Sequence, residues 1–400
     1  MPDRKIMKRS EMLSGALCAL LTALAACEPL DDALPQTREE PADSEPLITL
    51  SEVAQALSWV DIRPAQMSEV RGAVDMSAGN GYDEEYLMQS LFASPGVGVG
   101  GGDPTKADLT GTPLRDLLRE AVRARLSTRG EAMDADTWLD ALSSSDIQIY
   151  WPYSSSWDGM TTPVITFDPG DRAEQNLGYL RRVDGEVETV LVTEDLARER
   201  PVWVVNRNDD AEYRTLELLR REDPSWGEGG GDILVRPSTA SSTDLRTLVL
   251  RSFQANRQYD SWFAGASEFF VKVGAVEDFT ASTEAELRLY EPSITDFMIV
   301  VRRGQVGEPQ PFNAVLVSEW TGQLSNCAFM IIEDDGGTQT SWKCSAVVKY
   351  NSKSYGFELE IPLRTRDDIV WRGALSRSYI EKYSGITGHF GDVDLVLELI

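Results

Sequence analysis

Hydrophobic residues follow two different spacings along this chain of 400 residues, and the spacing changes near residue 145. Between Ile48 and Leu142 they recur every three or four positions, which is the period of an amphipathic helix. Beyond Ser145 they form short runs separated by turn residues, a pattern typical of antiparallel strands. The spacing therefore predicts an α+β protein in which a helix-rich region comes first.

Two groups of short hydrophobic runs follow the helical region. The first predicts a small antiparallel sheet and consists of residues 147–151, 163–167, 178–183, 188–192 and 202–205. The second predicts a C-terminal β-sandwich and consists of residues 245–252, 268–273, 297–301, 314–319, 328–333, 343–350, 357–361 and 393–399. Ahead of both groups, Asp83, Glu84 and Glu85 predict the first turn of a helix, where the helix dipole favours negative charge.

The first 26 residues have the composition of an export signal. A basic head that includes Arg4 and Lys5 precedes an apolar run, which ends in the sequence Leu-Ala-Ala-Cys at Cys27. This ending resembles the lipobox of bacterial lipoproteins. The resemblance implies that Cys27 is lipidated and becomes the first residue of an exported protein, anchored in the outer membrane or at the cell surface. A plain signal peptide or a buried apolar helix is the alternative.

Composition divides the rest of the chain. Residues 27–46 contain four prolines and seven acidic residues and predict a disordered tether, because such a segment buries too little apolar surface to fold. Residues 223–244 are rich in Gly, Ser and Pro and predict a linker. We therefore expect a signal peptide at 1–26, the tether, an α+β domain at 47–222, the linker and a β-sandwich domain at 245–400.

The net charge excludes one class of partner. It is −27, and removal of residues 1–26, with four basic and two acidic side chains, makes it −29. A protein that binds nucleic acid needs a basic surface, so nucleic acid is not an expected partner. Anionic lipid headgroups are excluded on the same ground, so membrane attachment is expected through the lipid anchor alone.

Several catalytic motifs are missing from the sequence. His389 is the only histidine, and there is no Cys-x-x-Cys, Gly-x-Ser-x-Gly or Ser-x-x-Lys sequence. The glycines from Gly96 to Gly101 are followed by Asp103-Pro104 rather than by a helix start, which argues against a dinucleotide site. The catalytic residues are therefore unknown, although the many carboxylates leave a glycosidase-like hydrolase open.

Aromatic residues are concentrated between Tyr150 and Gly159. Flat rings beside a carboxylate suit a sugar, although aromatic side chains more often pack in the core. The candidate ligand surface consists of Tyr150, Trp151, Tyr153, Trp157 and Asp158. The segment resembles parts of uncharacterised bacterial lipoproteins, a resemblance that implies no activity.

Cys327 and Cys344 are predicted to form a disulfide. Asp335-Gly336 favours a two-residue type I′ hairpin turn, and counting outward from that turn places the two cysteines directly opposite each other. Paired residues of this kind lie within disulfide reach. An exported protein would keep such a bond oxidised.

The C-terminal half resembles C2 domains in two short segments. Residues 249–273, with Asp260 in a loop ahead of Ser267-Glu268, are similar to the first calcium-binding loop of that family, and Ile331–Asp335 resembles its strand-end Asp-x-Asp. The resemblance implies a calcium site with oxygen ligands. Its ligands would be Asp260, Glu268, Glu333 and Asp335. The chain has glutamate at 268 and 333, where the family has aspartate, and the alternative is that these acids are solvated.

These observations predict a lipid-anchored envelope or surface protein. We expect a non-catalytic binding module for an unknown protein or carbohydrate ligand, with calcium as the one candidate cofactor. A carboxylate-based hydrolase and a purely structural role are the alternatives.

Overall fold

The computed structural model describes residues 48–93, 112–129, 134–170, 172–210, 213–222, 224 and 245–400. Helix ends in this part follow capping side chains, as where Thr49 accepts a hydrogen bond from the backbone N–H of Glu52. The helices of these residues are α1 (Leu50–Ser58), α2 (Pro64–Gly79), α3 (Met88–Phe92), α4 (Leu114–Arg129), α5 (Ala135–Ser143), α6 (Glu194–Glu199), α7 (Leu216–Glu222), α8 (Glu284–Leu287) and α9 (Arg377–Tyr383), with 3₁₀ turns at Ser154–Ser156 and Arg303–Gln305.

The strands are more numerous after residue 245, as the hydrophobic runs predict. Those of the described residues are β1 (Glu85–Leu87), β2 (Ile147–Tyr150), β3 (Val164–Phe167), β4 (Gln175–Arg181), β5 (Val187–Thr193), β6 (Val202–Arg207), β7 (Arg246–Ala255), β8 (Ser267–Ala275), β9 (Ser293–Val301), β10 (Gln310–Trp320), β11 (Leu324–Glu333), β12 (Gln339–Tyr350), β13 (Lys353–Arg364), β14 (Asp368–Ser376), β15 (Thr387–Phe390) and β16 (Val393–Leu399).

The first six strands form one sheet in the order β1-β2-β6-β3-β4-β5. Helices cover one of its faces, where Val53 and Leu57 pack with Ile149 and Trp203 in a common core. The sheet is antiparallel except for β3 and β6, which run parallel because α6 lies on the connection between β5 and β6. The predicted helix-rich region with a small sheet is confirmed, with this one parallel pair as a difference.

The predicted helix start at Asp83–Glu85 is wrong. Glu85 begins β1, which pairs with β2 so that Tyr86 lies opposite Ile149. The backbone N–H of Trp151 also donates to the carbonyl of Glu84 at 2.9 Å. Pairing with a buried strand therefore outweighs the helix signal, and it carries Asp83 and Glu85 into the interior of the protein while Glu84 stays half-buried.

The C-terminal strands form the predicted sandwich. A four-stranded sheet in the order β10-β7-β16-β15 faces a six-stranded sheet in the order β13-β12-β11-β8-β9, in which β14 also pairs with β11. Ring contacts join the two sheets: Phe253 lies 5.3 Å from Phe269 and Phe329 lies 5.8 Å from Phe390, between centroids. These contacts form the apolar interior expected of a sandwich.

The predicted disulfide is wrong because both edges of β11 are occupied near the turn. There β8 pairs with one edge of β11 and β14 with the other, so β12 pairs with β11 only at Leu324 and Asn326. Cys327 therefore lies opposite Leu375, and Cys344 lies opposite Leu359 of β13. Both cysteines are free thiols.

The two sheet regions contact each other, and residues from Leu47 to Ile400 form one compact unit. The loop that precedes β8 makes part of this contact: the indole N–H of Trp262 donates to the carbonyl of Glu174 at 3.0 Å, and Asn206 donates to the carbonyl of Phe263 at 3.2 Å. Apart from Pro224, the predicted linker 223–244 lies outside the described residues, so the domain boundary stays a prediction.

Candidate functional site

The loop between β7 and β8 places Asp260 at the end of the sandwich. The hydroxyl of Ser267, the first residue of β8, accepts the backbone N–H groups of Tyr259 at 2.9 Å and Asp260 at 3.3 Å. Arg303 donates to the carbonyl oxygen of Asp260 at 2.6 Å. These bonds fix the backbone, so the direction of the Asp260 side chain is set before any ligand arrives.

Glu333 is the last residue of β11 and has a strand on each side. It lies opposite Phe269 of β8 and opposite Asp368 of β14. A position flanked by strands on both sides is shielded from water, and the exposed fraction of Glu333 is 0%. The sheet therefore holds the whole carboxyl group of Glu333 in the interior of the protein.

A glycine turn brings Asp335 back to the same place. Gly336 and Gly337 have φ values of 72° and 100°, in the left-handed region that favours glycine. A carboxylate oxygen of Asp334 accepts the backbone N–H of Gly336 at 2.8 Å, and the other accepts the hydroxyl of Tyr213 at 3.2 Å. Asp334 therefore holds the turn, which leaves the neighbouring Asp335 to face Asp260 and Glu333.

One oxygen from each of Asp260, Glu333 and Asp335 lies within 4.8 Å of the others. That separation is twice a Ca–O distance of about 2.4 Å, so one ion could contact all three carboxylates. We call these three residues the carboxylate triad. Its members come from two separate parts of the chain, the loop before β8 and the end of β11 with its turn, and all three were predicted from the sequence.

The triad contains polar atoms without partners. Within the described residues, neither carboxylate oxygen of Glu333 has a hydrogen bond, and the same holds for Oδ2 of Asp260. Burial raises the pKa of Glu333 well above its ordinary range, and the neighbouring Asp260 and Asp335 raise it further. A buried carboxyl group of this kind must either hold a proton or meet a cation.

Glu268, the fourth predicted calcium ligand, does not join the triad. Side chains alternate between the two faces of a strand, and Glu333 shares a face with its partner Phe269. Glu268 therefore points to the other face of the sheet, beside Phe270. Including it among the ligands was wrong for this geometric reason.

A cavity of about 210 Å³ connects the triad with Glu268. It lies under the segment that follows β6. Its lining residues are Asp209, Asp210, Tyr213, Asp260, Glu268, Phe270, Met298, Asp334, Asp335, Gly336, Arg364 and Arg366. Acidic side chains outnumber the two arginines in this lining, so the cavity has a strongly negative interior.

Positive groups lie at the edge of the cavity. Arg172 approaches Asp335 at 3.4 Å and Asp368 at 3.5 Å, and it is 67% exposed. Arg364 approaches Asp334 at 3.5 Å. Glu333 is the most deeply buried member of the triad.

A further group of buried polar residues adjoins the cavity and was not predicted. The side-chain amide of Asn208 donates to Glu85 at 3.1 Å, to Gln148 at 3.0 Å and to Asp210 at 2.8 Å. Asp83 accepts the backbone N–H of Ala266 at 2.9 Å, which joins this group to the loop before β8. The polar run from Asn206 to Asp210 directly after a buried strand was the available signal.

Burial also changes the protonation of this group. It raises the pKa of Asp83 to about 7, with the charge of Glu84 as a second cause. It raises the pKa of Asp210 to about 6, against the opposing effect of the hydrogen bond from Asn208. Both carboxyl groups therefore titrate in the range where the protein is expected to work.

The candidate ligand surface at Tyr150–Asp158 is not formed as predicted. Tyr150 and Trp151 are each 1% exposed, and Trp151 packs edge-to-face with Trp157 at 5.7 Å. The hydroxyl of Tyr153 donates to Glu194 at 2.7 Å, and Asp158 accepts the backbone N–H groups of its own turn. These residues build the core and a local turn, because buried ring area outweighs exposure to a ligand.

Cys27 and the predicted tether lie outside the described residues. Within the part that the structure describes, no helix is long and apolar enough to cross a membrane. Comparison with known protein families, curated proteins and solved structures found no match to this chain.

Proposed function

We propose that this chain is a lipid-anchored envelope protein whose folded part binds calcium through Asp260, Glu333 and Asp335. The observation that carries the proposal is Glu333, which is fully buried and has no hydrogen-bond partner for either carboxylate oxygen among the described residues. Leaving such a group unpaired is costly, and a cation removes the cost.

The donor set is suited to calcium. Three carboxylates can supply up to six oxygens, because each can bind through one atom or two, and calcium accepts six to eight oxygen ligands in irregular geometry. The partly exposed Asp260 and Asp335 give access from solvent. Magnesium requires a stricter octahedral arrangement, which favours calcium over magnesium at this site.

Calcium and protons should compete for the triad. The raised pKa of Glu333 means that a metal-free triad holds a proton at neutral pH. Binding then releases that proton, and the affinity for calcium increases with pH.

Thermal unfolding of the wild-type protein and of Asp335→Asn tests the proposal. Millimolar calcium should raise the melting temperature of the wild type, since an ion that binds only the folded state contributes about 2.7 kcal/mol at a hundredfold excess over Kd. Asp335→Asn should weaken this shift, because it removes a ligand charge and leaves the hydrogen bond between Asp334 and Gly336 intact.

Asp195→Asn provides the matched control, since Asp195 lies on α6 and is 88% exposed. It should respond to calcium as the wild type does. A wild-type melting temperature that does not move in millimolar calcium would overturn the proposal, as would an equal calcium shift in Asp335→Asn.

The lipid anchor is a separate part of the proposal and rests on the sequence ending at Cys27. Wild-type protein expressed in a bacterium should partition into detergent, and its mature N-terminus should be Cys27. Cys27→Ser should yield a soluble form or an uncleaved precursor. A mature N-terminus at any other residue would contradict the anchor and leave the calcium site untouched.

A carboxylate-based hydrolase is the second candidate. It is favoured by the raised pKa of Glu268, which would suit a general acid, in the same cavity as Asp335. The cavity of about 210 Å³ is smaller than the usual range for organic ligand sites, about 300–1,000 Å³, which favours a small cation over a sugar. Glu268-dependent hydrolysis of aryl glycosides would reverse this order.

A further inference from the structure

The cavity has a second acidic wall on the face of the sheet opposite Glu333. Glu268 lines this wall and is 6% exposed. Among the described residues its carboxylate has neither a hydrogen bond nor an ion pair, unlike Asp334, which is bonded by Tyr213 and Gly336. Glu268 is therefore a buried, unpartnered carboxyl group that faces the cavity.

The side of the cavity across from Glu268 comes from the segment after β6. Asp209 and Asp210 line it, and Asp209 is exposed, so the cavity opens to solvent there. Oδ1 of Asp210 already accepts a hydrogen bond from Asn208 at 2.8 Å, which fixes the orientation of that carboxylate. Phe270 and Met298 supply an apolar floor between the two acidic sides.

The wall that contains Glu268 does not have the geometry of a second metal site. Among the described residues, the carboxylate triad is the one group of three or more acidic, histidine or cysteine ligands whose atoms lie close enough for a single ion, and Glu268 and Asp209 are outside it. The cavity volume of about 210 Å³ is several times the ~30 Å³ that one water occupies in the liquid. A ligand larger than a metal ion therefore fits.

We propose that this wall binds a primary alkylammonium group, the chemistry of a lysine side chain or of a free aliphatic amine. An ammonium carries three N–H donors, which match the carboxylates of Glu268, Asp209 and Asp210. Its methylene chain would lie against Phe270 and Met298. The proposal goes beyond calcium binding and does not require it, because Glu333, the residue that carries the calcium proposal, lies on the opposite face of the sheet and does not line the cavity.

Calorimetric titration of the full protein with n-butylamine at pH 7.5, in the presence of a calcium chelator, tests the inference. Butylammonium should bind, and 1-pentanol, which has a similar chain and no charge, should not. Binding of the ammonium should release the proton of Glu268 to solvent, and Glu268→Gln should weaken binding about tenfold or more because glutamine cannot supply the charge-assisted hydrogen bond. The exposed Glu358→Gln is the matched control and should bind as the wild type does.

Two further variants keep the result interpretable. Asp209→Asn, at the exposed mouth, should weaken butylammonium binding even if Glu268→Gln fails to fold. Glu333→Gln, at a triad residue that does not line the cavity, should lose the calcium response and keep butylammonium binding, so that failure of the calcium proposal can be told from failure of this one. Equal affinity of the wild type, Glu268→Gln and Asp209→Asn, or binding of 1-pentanol as strong as that of butylammonium, would overturn the inference.

The source of the amine is distinguished by a second ligand. Nα-acetyl-lysine methylamide carries the same ammonium group on a peptide backbone. Binding of both probes indicates that the cavity accepts a lysine side chain from a protein, whereas binding of n-butylamine alone indicates a free amine. Binding of neither probe would overturn the proposal.

Discussion

Glu333 is the residue of the site whose burial is energetically costly and whose carboxyl group is available to bind a cation. It is 0% exposed, and its two carboxylate oxygens have no partners within the described part of the chain. The adjacent Asp334 has the opposite character, since its oxygens accept hydrogen bonds from Tyr213 and Gly336. The contrast between these neighbours indicates that Asp334 supports the fold and Glu333 is available to a ligand.

Replacement of Glu333 by glutamine separates an effect on the stability of the metal-free protein from an effect on calcium binding. Because burial keeps Glu333 protonated at neutral pH, the neutral glutamine resembles the group that the metal-free protein already contains. We expect Glu333→Gln to change the free energy of unfolding in a calcium chelator by less than about 1 kcal/mol, and to abolish the stabilisation by calcium. Urea unfolding with and without calcium measures both effects.

A loss of about 3–5 kcal/mol in the chelator would contradict this expectation, because that is the cost of breaking a buried ion pair. The exposed Glu358→Gln is again the control, and its unfolding should match the wild type in both conditions.

At the scale of single residues, the sequence predicted the triad better than its surroundings. Asp260, Glu333 and Asp335 could be named because the two segments that contain them resemble the calcium-binding loops of C2 domains. Glu268 could not be assigned to the correct face without knowing that Phe269 is the residue opposite Glu333. Asp210 was missed because its role depends on distant partners.

Two connecting elements position the triad, the loop before β8 and the glycine turn after β11. The loop is held at both ends, by Ser267 in the sandwich and by Asn206 and Asp83 in the first sheet. Asp260 therefore depends on the contact between the two sheet regions. The glycine turn depends on the left-handed backbone conformation of Gly336 and Gly337.

Gly337→Ala tests the glycine turn. At a φ of 100°, an added Cβ would also lie 2.6 Å from the hydroxyl oxygen of Thr365. We expect the free energy of unfolding to fall by about 1 to 3 kcal/mol, and calcium binding to weaken as Asp335 moves. Chemical unfolding and calcium titration measure the two effects.

Gly304→Ala is the matched control, because a Cβ at Gly304 would have no atom within 4 Å. Its stability and calcium binding should equal those of the wild type. If Gly337→Ala behaves as this control does, the turn does not position the triad.

Element prediction succeeded where strands are apolar and failed where they are not. The run 328–333 was predicted and lies within β11, whose side chains are buried almost throughout. β14 was missed because its side chains are mostly part-exposed, with a polar residue at each end. β8 and β14 occupy the two edges of β11 near the turn, and because this pairing was not foreseen, the hairpin and disulfide predictions were wrong.

Over the whole molecule, the buried acids make stability depend on pH. The pKa of Asp83 is raised to about 7 and that of Asp210 to about 6, so the folded chain binds more protons than the unfolded chain, in which such groups titrate near pH 4. Stability is therefore greatest at low pH within this window and falls as the pH rises from about 4 to about 7.

We expect the metal-free protein to melt at a higher temperature at pH 5 than at pH 7.5. Asp210→Asn should reduce this difference, because the amide does not titrate and its oxygen can still accept the bond from Asn208. The exposed Asp195→Asn should leave the difference unchanged. A wild-type melting temperature that is higher at pH 7.5 would show that the buried acids do not titrate as described.

At this scale, sequence and structure agree on the order of the parts. The helix-rich region with its sheet and the C-terminal sandwich were both predicted from hydrophobic spacing. The contact between them was not, because it is made by polar residues such as Asn206 and Asp83, whose partners are distant in the sequence. That contact forms the acidic cavity, so the cavity could not be predicted from local pattern.

One calcium ion is expected to bind between Asp260, Glu333 and Asp335. A crystal structure of the protein grown in millimolar calcium, with anomalous difference density measured, would locate this ion. A calcium peak is expected about 2.3–2.6 Å from carboxylate oxygens of all three residues. A map with no peak at this position, or with calcium bound only elsewhere on the protein, would contradict it.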